Sequence, residues 1–170
     1  MLTLVTNEER QYINYIKNHI AHVQKAWDVY KNQLAKHLNI NEKEMEQRIA
    51  QHDSSKWDAE EFEAYRNHFY PAENEYQDDN QFENAWKEHY ELNDHHPEFW
   101  VVDNKALKMD EHAIAEMFCD WIAMSMVFGT SLVDWYNNED INFHPDTRKK
   151  VDEIMNEYWI ADVHKMIYMN

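Results

Sequence analysis

The sequence predicts an all-α fold, a compact helical bundle with at most a minor β-hairpin. Its 170 residues include one Gly and three Pro, whereas β-rich folds need many tight turns that usually contain Gly. Apolar residues recur at steps of three and four along most of the chain, which is the spacing of an amphipathic helix. The length fits one domain with a hydrophobic core. Because no repeat and no domain boundary is visible, we expect a single helical domain over residues 1–170.

The first helix is expected to begin after Thr6. Thr6 and Glu9 have the spacing of a capping box, in which each residue satisfies a backbone N–H of the other. One helical stripe of apolar residues follows: Tyr12, Ile16, Ile20, Val23, Trp27, Tyr30 and Leu34. His19 lies on this stripe or at its edge. His22 comes three residues later, and the choice between the two histidines as a site residue stays open.

A shorter helix is expected after Asn41, with Met45 and Ile49 facing inward. Continuing its inner face by three or four residues reaches His52 and Asp53, so this pair is expected at the end of the helix and directed at the core. Further helices are predicted over residues 58–68 and 81–93. The apolar side of the second one is expected to include Phe82, Ala85, Trp86, His89 and Leu92.

The stretch from Glu111 to Phe128 is apolar nearly all round, which places it at the centre of the core. Gly129 is a favourable end for this helix, and two acids, Glu116 and Asp120, lie one turn apart on it. Residues 94–109, before it, are expected to be irregular, with a short β-prone run at 99–102. A last helix is expected from Pro145, a favoured first-turn residue, to about Trp159.

The charge of the chain excludes some partners. Its net charge is −17, from 33 acidic and 16 basic residues. Binding to DNA or RNA rests on Lys and Arg, so we expect no nucleic acid polymer and no anionic membrane as a partner. A small phosphorylated substrate would then need a metal ion to attract it. A homodimer stays open.

The compartment is predicted from three absences. The single Cys119 cannot form an internal disulfide, and it lies in an apolar helical stretch. The N-terminal residues MLTLVTNEERQ lack the basic region and the long apolar run of a signal peptide. No apolar stretch reaches the ~20 residues of a membrane span. We therefore expect a cytoplasmic protein with a structural thiol.

Histidines and aspartates on these inward faces suggest a metal site. Imidazole and carboxylate together are the usual ligands of Mn, Fe, Co, Ni and Zn, so one or two divalent transition metals are expected. A buried carboxylate such as Asp120 is costly unless it is paired or bound to metal. The simpler alternatives are core histidines with hydrogen-bond partners and an Asp120 paired with a lysine. The candidate ligands are His19, His52, Asp53, His89, His95, His96 and Asp120.

The order H…HD…HH…D resembles the HD-domain superfamily of metal-dependent phosphohydrolases. His19 with Val23 resembles the first-helix histidine of that family, and residues 52–56, HDSSK, resemble its HD-x-x-K signature. His95-His96 resembles its double histidine, and Asp120 stands where its last aspartate should. The resemblance implies an HD-like helical domain in which these residues, together with His89, bind one or two metals.

A closer likeness is to a family of small phage and bacterial proteins that brings no established activity with it. The strings HDSSKW, AWKEHYELNDHHPEFW and EMFCDWIAM carry this likeness, and it covers about residues 12–125.

The superfamily resemblance implies a reaction. Asp53 would bridge two metals, and a bound metal lowers the pKa of water to ~7, which supplies a nucleophile for phosphorus. Lys56, one turn further on, would hold a phosphate, or it is an ordinary surface lysine. Glu116 would orient an imidazole, or it is a plain buried acceptor, and Asn93 would do similar work. The catalytic candidates are therefore Asp53, Lys56 and Glu116.

We expect a phosphohydrolase that acts on a small phosphorylated molecule, most readily a nucleotide. An HD-type di-iron oxygenase would use the same ligands, and a non-catalytic, phage-encoded nucleotide-binding protein is a third hypothesis. Four tryptophans fall near the motifs and form either an aromatic wall for a nucleobase or simply part of the core: Trp57, Trp86, Trp100 and Trp121.

Overall fold

The computed structural model describes residues 5–168, with side chains described as far as Val163. It confirms the all-α prediction. The helices are α1 (Asn7–Leu38), α2 (Glu42–Ala50), α3 (Ala59–Phe69), α4 (Asp79–Leu92), α5 (Glu111–Phe128), α6 (Leu132–Asn138) and α7 (Pro145–Met155). Short 3-10 segments cover Ser54–Trp57, Pro97–Trp100 and Tyr158–Tyr168. Two strands, β1 (Val101–Val102) and β2 (Lys105–Ala106), form one antiparallel hairpin.

Helices α1 and α5 pack against each other and form the centre of the molecule. The predicted capping box starts α1: the Glu9 N–H donates to Thr6 Oγ1 at 3.1 Å, and the Thr6 N–H donates to Glu9 Oε2 at 2.6 Å. Helix α5 has the predicted bounds and is buried on nearly every side. It ends at Gly129, whose φ of 65° is the left-handed conformation that glycine adopts without strain.

The apolar core has two parts. The larger part joins the second half of α1 to α2, α5, α6 and α7. The smaller part joins the first half of α1 to α3 and α4, and it includes Tyr12 and Ile16. Along α1, His19 lies between Ile16 of the smaller part and Val23 of the larger part. A polar site therefore occupies the boundary between the two apolar clusters.

Helix α6 is absent from the sequence predictions, because seven residues between polar segments show too little periodicity. Three local predictions are wrong. Helix α7 ends at Met155 rather than near Trp159, which lies in the 3-10 segment Tyr158–Tyr168. In the β-prone run 99–102 only Val101–Val102 is a strand, because Pro97 starts a 3-10 turn that includes the first two residues. Leu92 is 67% exposed, because it lies in the last turn of α4, beyond the packed face.

Within the described residues, no single helix is long and apolar enough to cross a membrane. Helices α5 and α6 reach that length and composition only as a pair bent by 108°. Most residues of α5 are buried inside this fold, as expected for the core helix of a bundle.

Candidate metal centre

The structure brings all seven candidate ligands together from five parts of the chain. They lie on α1, in the turn after α2, on α4, in the turn after α4, and on α5. Two sets have donor atoms within 4.8 Å of one another, namely His19, His52 and Asp120, and Asp53 with His89, His95 and His96. We call His19, His52 and Asp120 the first group, and His89, His95 and His96 the second group.

A left-handed turn puts His52 and Asp53 into the core. Helix α2 ends at Ala50, and Asp53 adopts a φ of 53°. Asp is one of the few residues other than Gly that tolerate this region. The Lys56 N–H then donates to the Asp53 carbonyl at 3.0 Å and starts the 3-10 segment Ser54–Trp57. As a result, both side chains of the His-Asp pair are about 2% exposed.

The two carboxylate oxygens of Asp53 face different groups. Oδ2 lies 3.4 Å from His19 Nε2 and 3.6 Å from His52 Nε2. Oδ1 lies 3.4 Å from His89 Nε2 and 3.5 Å from His95 Nε2. One side chain therefore contributes an oxygen to each group, which is the arrangement of a bridging carboxylate.

Within each group the remaining donor atoms also converge. His19 Nε2 lies 3.1 Å from Asp120 Oδ1 and 3.2 Å from His52 Nε2, and His96 Nε2 lies 3.0 Å from His89 Nε2. Ligands that are each about 2.0–2.1 Å from one ion lie about 3.0–3.4 Å apart. The observed spacing therefore fits donors arranged around a cation.

Buried polar atoms without a hydrogen-bond partner also indicate a cation site. Asp53 Oδ1 and His95 Nε2 are buried and have no hydrogen-bond partner among the described residues. Buried polar atoms in proteins are nearly always satisfied by protein, water or an ion. A cation between these two atoms would satisfy both, so the buried His/Asp cluster can bind metal.

Buried carboxylates hold the outer nitrogens of three histidines. Glu116 Oε1 accepts from His52 Nδ1 at 2.9 Å and lies 3.3 Å from His95 Nδ1. Glu61 Oε1 accepts from His89 Nδ1 at 2.8 Å. Because a carboxylate only accepts, each Nδ1 carries the proton and each Nε2 presents its lone pair inward. This is the usual carboxylate–histidine–metal pattern.

Glu116 is therefore a partner of the ligands. Its other oxygen, Oε2, accepts from Arg48 Nε at 3.0 Å and lies 2.9 Å from Arg48 Nη2. Arg48 also binds Asp94, the residue just before His95-His96. Although Glu116, His52 and His95 also lie close enough to hold an ion, the arginine already neutralises this carboxylate. The prediction that Glu116 contacts an imidazole matches this geometry.

The sequence interpretation missed Glu61 and Arg48. Glu61 lies in the first turn of α3, where acids are ordinary because they favour helix N-termini. A usable signal existed, since Glu61 is on the same helical face as the buried Ala64 and Tyr65. Arg48 gave no such signal: its contacts with Asp94 and Glu116 cross 46 and 68 residues of sequence.

The positively charged and hydrogen-bonding neighbours of the buried carboxylates lower the pKa values of those carboxylates. Burial alone would raise the pKa of Asp53, but the charges of His52 and Lys56 outweigh it and hold that pKa well below its usual range. Burial would also raise the pKa of Glu116, yet hydrogen bonds from His52 and His95 lower it to about 2. The carboxylates are therefore ionised at neutral pH and need protons or a cation beside them.

The neighbouring carboxylates also shift the pKa of His19. Burial disfavours its charged form, but hydrogen bonds to Asp120 and Asp53 outweigh burial and raise the pKa of His19 to about 9. Without a metal, His19 therefore holds a proton at neutral pH. A metal ion in the first group has to displace that proton.

Lys56 is not a surface lysine, so that alternative is wrong. It is 8% exposed, and its Nζ lies 2.6 Å from Asp53 Oδ2 and 5.6 Å from the centre of the Tyr65 ring. Burial would lower the pKa of Lys56, but the charge of Asp53 raises it. Lys56 is thus a buried cation at the edge of the centre.

Asn93 holds the backbone around the second group. Its Nδ2 donates to the His89 carbonyl at 2.7 Å and to Ser55 Oγ at 3.0 Å. This connects the end of α4 to the 3-10 segment that follows Asp53. Asn93 Nδ2 also lies 3.3 Å from His89 Nδ1, so Asn93 contacts this imidazole and fixes the relative positions of Asp53 and His89.

A cavity of about 500 Å³ opens beside the centre. His19, Asp53, Lys56, His96 and Asp120 form its polar part. Two exposed carboxylates, Glu98 and Glu139, also line it. Aromatic rings form most of the remaining wall, namely those of Tyr15, Tyr65, Phe69, Phe82, Trp86, Trp121 and Trp135.

The four tryptophans near the motifs have different places. Trp86 and Trp121 line the cavity. Trp100 donates from Nε1 to the Asp94 carbonyl at 2.6 Å and so anchors the turn before His95. Trp57 is 44% exposed. Two of the four therefore line the cavity, while Trp121 also belongs to the larger part of the core and Trp100 packs against it.

Comparison with protein-family models identifies a family for most of the chain. A family model described as "Family of unknown function (DUF5662)" matches residues 8–157. No curated protein and no solved structure matches the chain.

Proposed function

Since the chain belongs to the DUF5662 family, whose function is unknown, its chemistry has to be inferred from the site, and we propose that it is a metal-dependent phosphohydrolase of the HD type. The single observation that carries the proposal is Asp53, whose two oxygens face two separate groups of metal-ligating atoms. Two ions sharing one carboxylate form the clamp that phosphoester hydrolysis commonly uses.

The residues present fit two divalent transition metals. The first group with Asp53 Oδ2 offers two imidazoles and two carboxylates, and the second group with Asp53 Oδ1 offers three imidazoles and one carboxylate. Such mixed nitrogen and oxygen sets suit Mn, Fe, Co, Ni or Zn. Bound metal would supply a nucleophilic water at neutral pH and compensate the charge of the phosphoryl group.

The chain's own residues hold and orient these parts. Glu116 and Glu61 keep the imidazole lone pairs directed inward. Lys56 lines the cavity beside Asp53, where its ammonium can bind a phosphoryl oxygen by a charge-assisted hydrogen bond. The roles proposed are thus bridging for Asp53, phosphate binding for Lys56, and imidazole positioning for Glu116.

The cavity favours a small phosphorylated molecule with a flat group, such as a nucleotide. A volume of about 500 Å³ is within the usual range for small-molecule sites, and the rings of Trp86 and Trp121 can stack on a nucleobase. Lys56 is the one Lys or Arg among the residues that line it. With so little positive charge beyond the centre, a monophosphate is favoured over a triphosphate.

The second candidate is an HD-type di-iron oxygenase. Three imidazoles on one ion, two carboxylates near the other, and an aromatic cavity also suit iron and oxygen chemistry. Both candidates need the same ligands, so metal binding alone does not separate them. A binder without turnover is the third outcome.

The test starts with protein purified without chelator and assayed for bound metal. The metal-loaded protein is then incubated with nucleoside monophosphates, polyphosphates and simple phosphate esters, and released phosphate is measured. Asp53→Asn is compared with Asp103→Asn, an exposed aspartate with a similar left-handed φ of 50°. We expect turnover in the parent and in Asp103→Asn, and its loss in Asp53→Asn.

Three results would contradict the proposal in different ways. Oxygen consumption with a small organic substrate, without phosphate release, supports the oxygenase. Tight binding and intact release of a nucleotide support the binder. Equal phosphate release by the parent and Asp53→Asn would show that the activity does not come from this centre.

A further inference from the structure

Two buried glutamates orient histidines of the centre, and they differ in how many of the two ligand groups they contact. Glu61 is 4% exposed and contacts His89 of the second group. Glu116 is 5% exposed and contacts His52 of the first group and His95 of the second. Both contacts of Glu116 use one oxygen, Oε1. The two groups are therefore connected through a single atom in addition to the Asp53 carboxylate.

The other oxygen of Glu116 fixes where Oε1 can lie. Arg48 holds Oε2 through Nε at 3.0 Å and Nη2 at 2.9 Å. The same guanidinium binds Asp94, and Trp100 donates to the Asp94 carbonyl. This network joins α2, α5 and the turn that carries His95. The position of Glu116 Oε1 and the position of that turn therefore depend on each other.

From this geometry we infer that Glu116 is a positioning residue that couples the two metal-binding groups, whereas Glu61 serves the second group alone. The inference rests on the metal centre of the proposed function and not on the reaction. An ion in the first group fixes the His52 ring, and the Nδ1–H of that ring fixes Glu116 Oε1. The same oxygen then holds His95 with its lone pair toward the second ion. Occupation of either group thus favours occupation of the other, as linkage requires.

Substitution of a ligand's hydrogen-bond partner commonly lowers metal affinity about 10- to 100-fold. Glu61→Gln should produce that loss for one of two bound equivalents and leave the other unchanged. Glu116→Gln should weaken both equivalents and remove the cooperativity between them. Glutamine keeps the shape of the side chain but has only one acceptor oxygen. At Glu116 the change therefore removes the charge and one of two accepted contacts, that from His52 or that from Arg48.

The experiment is a titration of metal-free protein with Co²⁺, followed by the visible absorption of the bound ion and by competition with a coloured chelator. The variants are Glu61→Gln, Glu116→Gln and, as a matched control, Glu83→Gln at an exposed position of α4. We expect two equivalents with parent affinity in the parent and in Glu83→Gln. One equivalent should be weakened in Glu61→Gln, and both should be weakened in Glu116→Gln. The Co²⁺ spectrum should change for both equivalents in Glu116→Gln, which a loss of stability alone would not produce.

Arg48→Met keeps the test decisive if Glu116→Gln does not fold. It leaves the Glu116 carboxylate in place but removes the arginine that holds Oε2. It should lower the metal affinity of both equivalents, as Glu116→Gln does. The inference is wrong if the folded variant tested weakens one equivalent or none, or if Glu61→Gln weakens both. A parent that binds Co²⁺ as expected but hydrolyses no phosphate overturns the proposed function alone. A parent that binds no Co²⁺ overturns both.

Discussion

The two ligand groups of this centre are built from different parts of the fold and carry different charge. The first group combines His19 of α1 and Asp120 of α5, the two helices that pack together at the core, with His52. The second group combines His89 of α4 with His95 and His96 of the following turn, and it contains no carboxylate of its own. Because Asp53 is shared, the first group has two carboxylates available and the second has one.

This difference predicts unequal metal binding. Opposite charges interact strongly in a buried site of low effective dielectric, so the extra carboxylate favours a divalent ion in the first group. The first group also stands on the most regular elements of the fold, which hold ligands more precisely than turns do. We therefore expect the first equivalent to be the tighter one, and the second to be removed more easily by a chelator.

The largest effect is expected from Asp120→Ala. It removes the one carboxylate that belongs to the first group alone, and a lost ligand should cost at least the roughly 100-fold upper range seen for lost ligand partners. The second equivalent loses only the coupling through Glu116, so it should weaken less than the first. Metal content after dialysis measures this, with Glu139→Ala at the cavity edge as the control. If Asp120→Ala lost only the second equivalent, the assignment of the tighter ion to the first group would be wrong.

A smaller loss of metal affinity, in the second group instead of the first, is expected from His89→Gln. The second group keeps two imidazoles and Asp53, and a neutral imidazole is a smaller loss than the charged Asp120 carboxylate. We therefore expect the second equivalent to weaken by about 100-fold or less, and the first to stay unchanged. Competition with a chelator at fixed pH reports each constant. His112→Gln is the matched control, since His112 contacts Asp110 and Glu44 away from the centre. An equal loss from both groups would show that they are not separable.

The metal affinities of the two groups should depend differently on pH. Hydrogen bonds to Asp120 and Asp53 raise the pKa of His19 to about 9 against the opposing effect of burial. Below that pH a metal must displace the proton, so affinity of the first group should fall about tenfold for each unit by which the pH drops. Above about pH 9 this dependence should disappear. Titrations between pH 6 and about 9 would show it, and a flat first-group affinity over that range would contradict the assignment of His19.

The smallest effect is expected from Lys56→Met, which should leave the metal content unchanged. Removing the ammonium beside Asp53 should lower phosphate release partially, roughly tenfold, mainly through weaker substrate binding. The rate as a function of substrate concentration separates binding from turnover. Lys87→Met, an exposed lysine paired with Glu91, should behave like the parent. Loss of metal in Lys56→Met would show that the lysine supports the centre rather than the substrate.

Helices with long stripes or clear caps could be predicted from the sequence. The capping box of Thr6 and Glu9 and the left-handed Gly129 fixed the start of α1 and the end of α5, because both signals are local. Helix α6 could not be predicted, since seven residues give too few apolar positions for a period. The end of α7 depended on packing of the segment after it, which no local signal encodes.

The site, like the fold, has features that could be predicted from the sequence and others that could not. Residue type and order were enough to predict the seven candidate ligands that the structure brings together. The superfamily resemblance implied that Asp53 bridges two metals, but not which histidines belong to each group. That assignment depends on the left-handed turn at Asp53 and on the packing around its two oxygens. The partners Glu61 and Arg48 were missed because tertiary packing alone brings them to the histidine and the glutamate that they contact.

The central claim is that Asp53 bridges two ions, and anomalous diffraction from metal-loaded crystals tests it most directly. We expect two anomalous peaks, one on each side of the Asp53 carboxylate, each about 2.0–2.2 Å from one of its oxygens. One peak should also contact His19, His52 and Asp120, and the other the second group. Peaks that do not contact Asp53, or a single peak between Glu116 and the Nδ1 atoms of His52 and His95, would contradict the account.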